Sequence, residues 1–265
     1  MLNVEAFDYA AIAASLVLFA LGSFYDMKTR EVNDWVWVAY GTLGLALTVL
    51  RLLLDPSPLF LTLVSIAVTT LVSFGMFYLG LFGGADAKAI VCLGLAIPLP
   101  PSHYQVLIGY VHPVFPLVVV ILGFVCSASI GLWLAARNFL AYLREGKRIF
   151  QGLEHEAAGK KILAMITGYR TDLSKLRSTF YLYPMEEIAV GPDGAHQAFK
   201  LFVSAESDRD QLVSNFVDQF SKAGFQGRVW VTPGLPMLVF LFLGLIIALI
   251  FGDLIFASVM LMALR

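Results

Sequence analysis

Charge is scarce in this chain, and from several long stretches it is absent. Only 14% of the 265 residues are Asp, Glu, Lys or Arg, and residues 9–25 and 56–85 contain none. A soluble domain carries about 25%, so an ordinary globule is excluded. Cysteine is almost missing: Cys92 and Cys126 are the two, each inside an apolar run, which rules out a disulfide framework and a CxxC zinc site. No basic excess exists either. The formal net charge is −1, and the polar stretch 137–231 balances 13 Lys and Arg against 11 Asp and Glu, so no nucleic-acid surface is expected. No internal repeat is visible. The first apolar run lacks a basic lead-in, follows Glu5 and Asp8, and ends on Asp26, so it reads as a retained helix and not a cleaved signal.

What is present is apolar length. Hydrophobic residues make up 59% of the chain and mean hydropathy is +0.80. A bilayer crossing needs about 20 mostly apolar residues, and six candidate segments emerge, near residues 9–25, 35–50, 59–79, 86–98, 114–136 and 237–262. The fourth is short, and Gly252-Asp253 interrupts the sixth. The fold class expected is a polytopic α-helical membrane protein of six transmembrane helices, with a small α+β cytoplasmic domain between helices five and six. Its domains are residues 1–140 (helices one to five), 141–231 (the α+β domain) and 232–265 (the last helix). Within the α+β domain, 208–222 reads as an amphipathic helix stopped by Gly224. Stretches 180–183, 199–203 and 228–231 read as strands, with a turn at 192–194. The Pro-rich stretch 98–113, with His103 and His112, reads as a loop.

Counting cations orients the chain. If the first segment exits into the cytoplasm, 16 of the 18 Lys and Arg lie inside, leaving Arg51 and Arg265 outside. The amino terminus is then outside, and the soluble domain is cytoplasmic. Asp26, which ends the first segment, and Asp86, which follows the third, arrive at the same face. Carboxylates at membrane depth are costly and point to function. Two that face each other share a proton: the charged one can activate a water against a peptide carbonyl, and the neutral one can protonate the carbonyl oxygen. Gly83 and Gly84, just before Asp86, let backbone approach a substrate strand closely and make a loop that can move.

These residues resemble a known group. Gly83-Gly84-Ala85-Asp86 with Lys88 is similar to the motif of the GxGD intramembrane aspartyl proteases. Asp26 with Lys28, Arg30, Glu31, Val32 and Asn33 looks like the first-aspartate motif of the prepilin peptidase branch, and Thr232-Pro233-Gly234-Leu235-Pro236 resembles a segment of archaeal members. The resemblance, to archaeal preflagellin and type IV prepilin peptidases, covers most of the chain. It implies an aspartic endopeptidase that uses no cofactor, with Asp26 and Asp86 catalytic and Gly83, Gly84, Lys88, Pro233, Gly234 and Pro236 near substrate. The implied substrates are preflagellin or pilin-like precursors with a short basic leader before a hydrophobic helix. Besides these precursors the partner is the lipid bilayer, and the oligomeric state stays open. The cytoplasmic cysteine pairs that hold zinc in bacterial relatives are missing.

Plainer roles compete at each position. Asp26 can be a headgroup-level charge, and Asp86 a helix cap. Lys28, Arg30 and Lys88 serve as topology signals and snorkelling cations. Thr232–Pro236 is a domain-to-helix break, Asp253 a structural carboxylate, and Cys92 and Cys126 apolar packing. A proton-coupled transporter that relays through Asp26, Asp86 and Asp253 is the main rival function, and a membrane scaffold is a third.

Overall fold

The computed structural model describes residues 3–101, 112–191, 194–201 and 208–263; His103 lies outside the described residues. Two units emerge, Met1–Ser127 with Pro236–Arg265, and Ala128–Leu235.

The first unit is helical: α1 (Val4–Thr29), α2 (Asp34–Leu54), α3 (Leu59–Tyr78), α4 (Gly84–Ala96), the start of α5 (Phe115–Glu145), then α9 (Met237–Phe251) and α10 (Leu254–Ala263). Side-chain caps set two of the starts. Asn3 accepts from the Glu5 amide before α1, and Asn33 accepts from the Trp35 amide before α2.

α3 is polar inside and apolar outside. The buried stripe of α3 is Thr62, Ser65, Thr69 and Ser73, while Phe60, Leu61, Leu63 and Leu71 are exposed. That inversion suits a lipid surround, where small polar residues join helices by packing and hydrogen bonds. Ser73 Oγ donates to the Ala87 carbonyl (2.8 Å), Thr48 Oγ1 to that of Leu95 (2.7 Å), and the Tyr40 hydroxyl to Ser15 Oγ (2.7 Å). The buried stripe of α1 runs Asp8, Ala11, Ser15, Phe19, Gly22, Ser23 and Asp26, with a carboxylate at each end. Asp8 pairs with Arg51 of α2 at 3.0 Å, which gives a partner to one of the two cations left outside by the cation count.

Among the described residues, four helices are long and apolar enough to cross a membrane: α1, α2, α3 and the helical stretch Phe115–Phe150 that α5 begins. The chain is a multi-pass membrane protein. Two of the six expected crossings fall short of that length. α4 has 13 residues and α9 has 15, about 20 and 22 Å at 1.5 Å per residue, against a hydrocarbon core of about 30 Å. Each is cut by a local cause. Pro98 follows α4, and Gly252, at φ 77°, ends α9 before Asp253.

α4 packs against both α2 and α3. A Cβ on Gly44 would sit 2.7 Å from Ala96 Cβ, so only glycine permits the α2–α4 approach. Gly44→Leu is expected to destabilise the detergent-solubilised protein by about 1–3 kcal/mol through overpacking. An unchanged thermal midpoint would contradict that contact.

The second unit holds the sheets. Antiparallel strands are ordered β1 (Tyr169–Asp172), β5 (Arg228–Pro233), β2 (Leu182–Pro184), and a separate hairpin pairs β3 (Glu186–Gly191) with β4 (Gly194–Phe199). The helices are α6 (Ala158–Thr167), α7 (Leu173–Ser178) and α8 (Arg209–Lys222). Alternation along β5 serves two cores. Val229 and Val231 pack with Val213, Phe216, Val217 and Phe220 of α8, while Trp230 packs with Phe150, Met185 and Phe199. The amphipathic helix was legible to within one residue. The strand expected at 180–183 starts later, at Leu182; of the one expected at 199–203, Phe199 ends β4 instead of opening a strand, and residues 202–203 lie outside the described residues. The hairpin causes the second shift, since Gly191 opposite Gly194 fixes the register back to Glu186 opposite Phe199.

Candidate active site

Asp26 sits on the last turn of α1, buried at 9% exposure. Its Oδ2 accepts a hydrogen bond from the Leu238 amide at 3.3 Å, and Ser23 Oγ donates to the Leu238 carbonyl at 3.0 Å. The reason lies in α9, whose cap residue Pro236 offers no capping side chain. The amino-terminal amides of a helix need acceptors and favour negative charge. Asp26 supplies both from another helix. Arg30, in the left-handed region at φ 61°, ends α1 and turns its guanidinium toward Asp26, with Nη1 3.6 Å from Oδ1.

Asp86 lies in the first turn of α4, partly buried, and its Oδ2 accepts from the Gly83 amide at 3.1 Å. Gly83 has φ −73° and ψ 162°, a conformation open to any residue. A Cβ there would meet the Asp86 carboxylate only at 3.4 Å, ordinary van der Waals contact, so the local geometry does not demand glycine. α1 and α4 are in contact, and Asp86 is within Coulombic reach of both Asp26 and Arg30. Among the described residues no hydrogen bond joins the two carboxylates.

The remaining expected residues are spread more widely. Gly84 begins α4 and lines a recess of about 470 Å³ with Arg30, Glu31, Asn33, Asp34 and Lys88. Lys88 faces Asp34, at 2.6 Å, and not the catalytic candidates. Pro233 ends β5 opposite Leu182, and the Gly234 amide donates to the Tyr181 carbonyl at 2.7 Å, so both are engaged with the β2 region of the second unit. Pro236 leads α9 and so sets the Leu238 amide on Asp26. Cys92 is packed, its thiol on the Trp37 carbonyl at 3.3 Å.

Arg30 and Asp34 are the members that sequence reasoning left out. Arg30 stands in the motif around Asp26 and Asp34 follows its last residue, Asn33, but a lone arginine after a helix signals topology as readily as a partner. Asp253 is explained without chemistry. It is 8% exposed and accepts the Phe256 amide at 2.9 Å, capping α10. Asp253→Asn keeps that acceptor, so it is expected to retain activity and stability near wild type in a cleavage assay. Loss of turnover without loss of fold would give Asp253 a chemical role.

α1 and α4 are in contact and each brings a carboxylate, one beside a guanidinium and one at a helix start; carboxylates near each other are of the type that can share a proton. With this geometry in view, the chain's similarities are informative. It matches the Type IV leader peptidase family over residues 12–136 and the Archaeal Peptidase A24 C-terminus Type II over residues 160–254. Curated proteins named preflagellin peptidase are also similar. The one from Methanocaldococcus jannaschii is 30% identical over 88% of this chain and 90% of its own length. That of Methanococcus voltae is 24% identical over 92% and 95%, and that of Methanococcus maripaludis 23% over 93% and 95%.

Proposed function

Because the chain belongs to the type IV leader peptidase family, we propose that it is an aspartic endopeptidase that removes the short basic leader from preflagellin or type IV pilin-like precursors. The single observation that carries the mechanism is that Asp26 of α1 and Asp86 of α4 converge within Coulombic reach. No other role of either residue needs the second.

Arg30, 3.6 Å from Asp26, suits that residue to carry the negative charge, with Asp86 holding the shared proton. Asp26 takes a proton from a water as its oxygen attacks the scissile carbonyl, and Asp86 protonates the carbonyl oxygen. Collapse of the tetrahedral intermediate returns a proton to the leaving amine and restores the pair. The Leu238 amide holds Asp26 in place, and the Gly83 amide holds Asp86. The cation count favours the cytoplasmic face for this chemistry. Gly83, Gly84, Lys88 and Pro236, all of the first unit, are proposed to line the path of the substrate.

The test is digestion of a purified precursor by the purified, reconstituted protein, with both products identified by mass. One cut at the junction between leader and hydrophobic segment supports the reading. An intact precursor, or cuts scattered through its soluble part, would refute it.

A further inference from the structure

Close packing recesses α4 between its neighbours. A Cβ on Gly41 or Gly44 of α2 would meet Cys92 Sγ at 3.2 Å or Ala96 Cβ at 2.7 Å, and one on Gly94 of α4 would meet Thr69 Cγ2 of α3 at 2.9 Å. The sunken helix becomes the floor of an apolar groove of about 570 Å³ walled by α2 and α3. Its floor is one face of α4, Gly84, Ala87, Val91 and Leu95, with the smallest residues at the end where Asp86 lies. The walls include Val38 and Phe74, about half exposed.

At the Gly84 end the groove runs into the polar recess, and Asp34, Gly84 and Lys88 line both. In the recess Lys88 is paired with Asp34, and Arg30 with Asp26 beside it, which among the described residues leaves the Glu31 carboxylate without a counter-charge. An apolar trough therefore continues into a basin that favours cations.

We propose that groove and recess together dock the precursor: its hydrophobic segment lies in the α2–α3–α4 groove, its leader in the recess, and the junction crosses Gly84 beside Asp86. The proposal rests on the peptidase reading above and adds where, and by which residues, substrate is chosen. The recess charge decides against a phospholipid as the intended occupant, since an anionic headgroup is repelled by Glu31. A basic leader is attracted. The Asp34–Lys88 pair is exposed on both sides, worth about 0–1 kcal/mol, so a leader cation can take the place of Lys88 on Asp34.

A photo-crosslinking amino acid at Val38 or Phe74, in Asp86→Asn protein in nanodiscs, tests this with a full-length precursor bearing a basic leader. Val17 and Leu63, exposed outside the groove, are the comparison positions. Adducts to precursor concentrated at Val38 and Phe74 support the proposal. Equal adducts at all four positions, or lipid adducts alone, overturn it. As an independent readout, Glu31→Lys raises KM for a basic-leader precursor by about tenfold, some 1.4 kcal/mol, and an acidic leader reverses the effect. A KM blind to leader charge overturns the recess assignment. If wild-type protein cleaves precursor but the crosslinks are uniform, only the docking site falls. If it cleaves nothing, the peptidase reading falls first.

Discussion

Asp26→Asn and Asp86→Asn are each expected to slow leader removal by about 10³-fold or more, with the protein still folded. Asparagine is the informative replacement because its carbonyl oxygen can still accept the Leu238 amide at position 26 and the Gly83 amide at position 86. It cannot exchange a proton. Residues that act as one unit are not additive, so the double variant should be barely slower than either single one. Single-turnover cleavage of a saturating precursor gives the rates, and a monodisperse elution profile reports the fold. If one of the two variants cleaves within about tenfold of wild type, the pair does not share a proton, and general acid–base contributions of this size must come from elsewhere. Arg30→Met should give a smaller loss, since it removes a charge beside Asp26 and leaves both carboxylates.

A second large effect is expected from Glu186 in the sheet-containing unit. This carboxylate is 3% exposed; Oε1 accepts from the Trp230 amide at 2.6 Å and Oε2 from Gln197 Nε2 at 3.2 Å. Burial pushes its pKa from 4.5 up to about 7, against opposing pulls from the Trp230 hydrogen bond and the nearby charge of Arg170. The folded form thus binds a proton more tightly than the unfolded form. The contribution of Glu186 to stability is greatest below pH 4.5, falls as pH rises through the interval to about 7, and stays low above it. A shift of that size corresponds to about 3 kcal/mol. Glu186→Gln removes the ionisation and keeps an acceptor for Trp230, so the variant should be the more stable protein at pH 8 and lose this slope. Hydrogen exchange at the Trp230 amide, corrected for intrinsic rates, measures it in the full chain. Equal protection in wild type and variant at pH 8 would show that Glu186 ionises without cost.

Glu186 also shows where sequence stops being legible. Glu187 beside it is the same residue type and is exposed, because neighbours on a strand face opposite ways. Without knowing that β3 exists, nothing separates the two. The aspartates were readable for the opposite reason, as a charge that ends or follows an apolar run has no chemical camouflage. Arg30 was hidden because its approach to Asp26 depends on a left-handed turn that a lone arginine does not announce. α3 gave away its length but not its inner face: Thr62, Ser65, Thr69 and Ser73 keep helical spacing, yet a hydropathy scan absorbs them into the run. α4 and α9 were recognisable as apolar segments, the fourth already short and the sixth interrupted at Gly252-Asp253, and their boundaries at Ala96 and Phe251 give the lengths.

The amide that holds Asp26 belongs to Leu238, 212 positions further along the chain. At about 5–20 residues per second of synthesis, Asp26 emerges from the ribosome roughly 10–40 s before the group that fixes its carboxylate exists. A nascent chain that already carries both aspartates in its first helices therefore still lacks the amide that holds Asp26. On the proposed assignment, a product truncated before α9 is expected to leave the membrane proteins made beside it uncut, a timing set by translation itself.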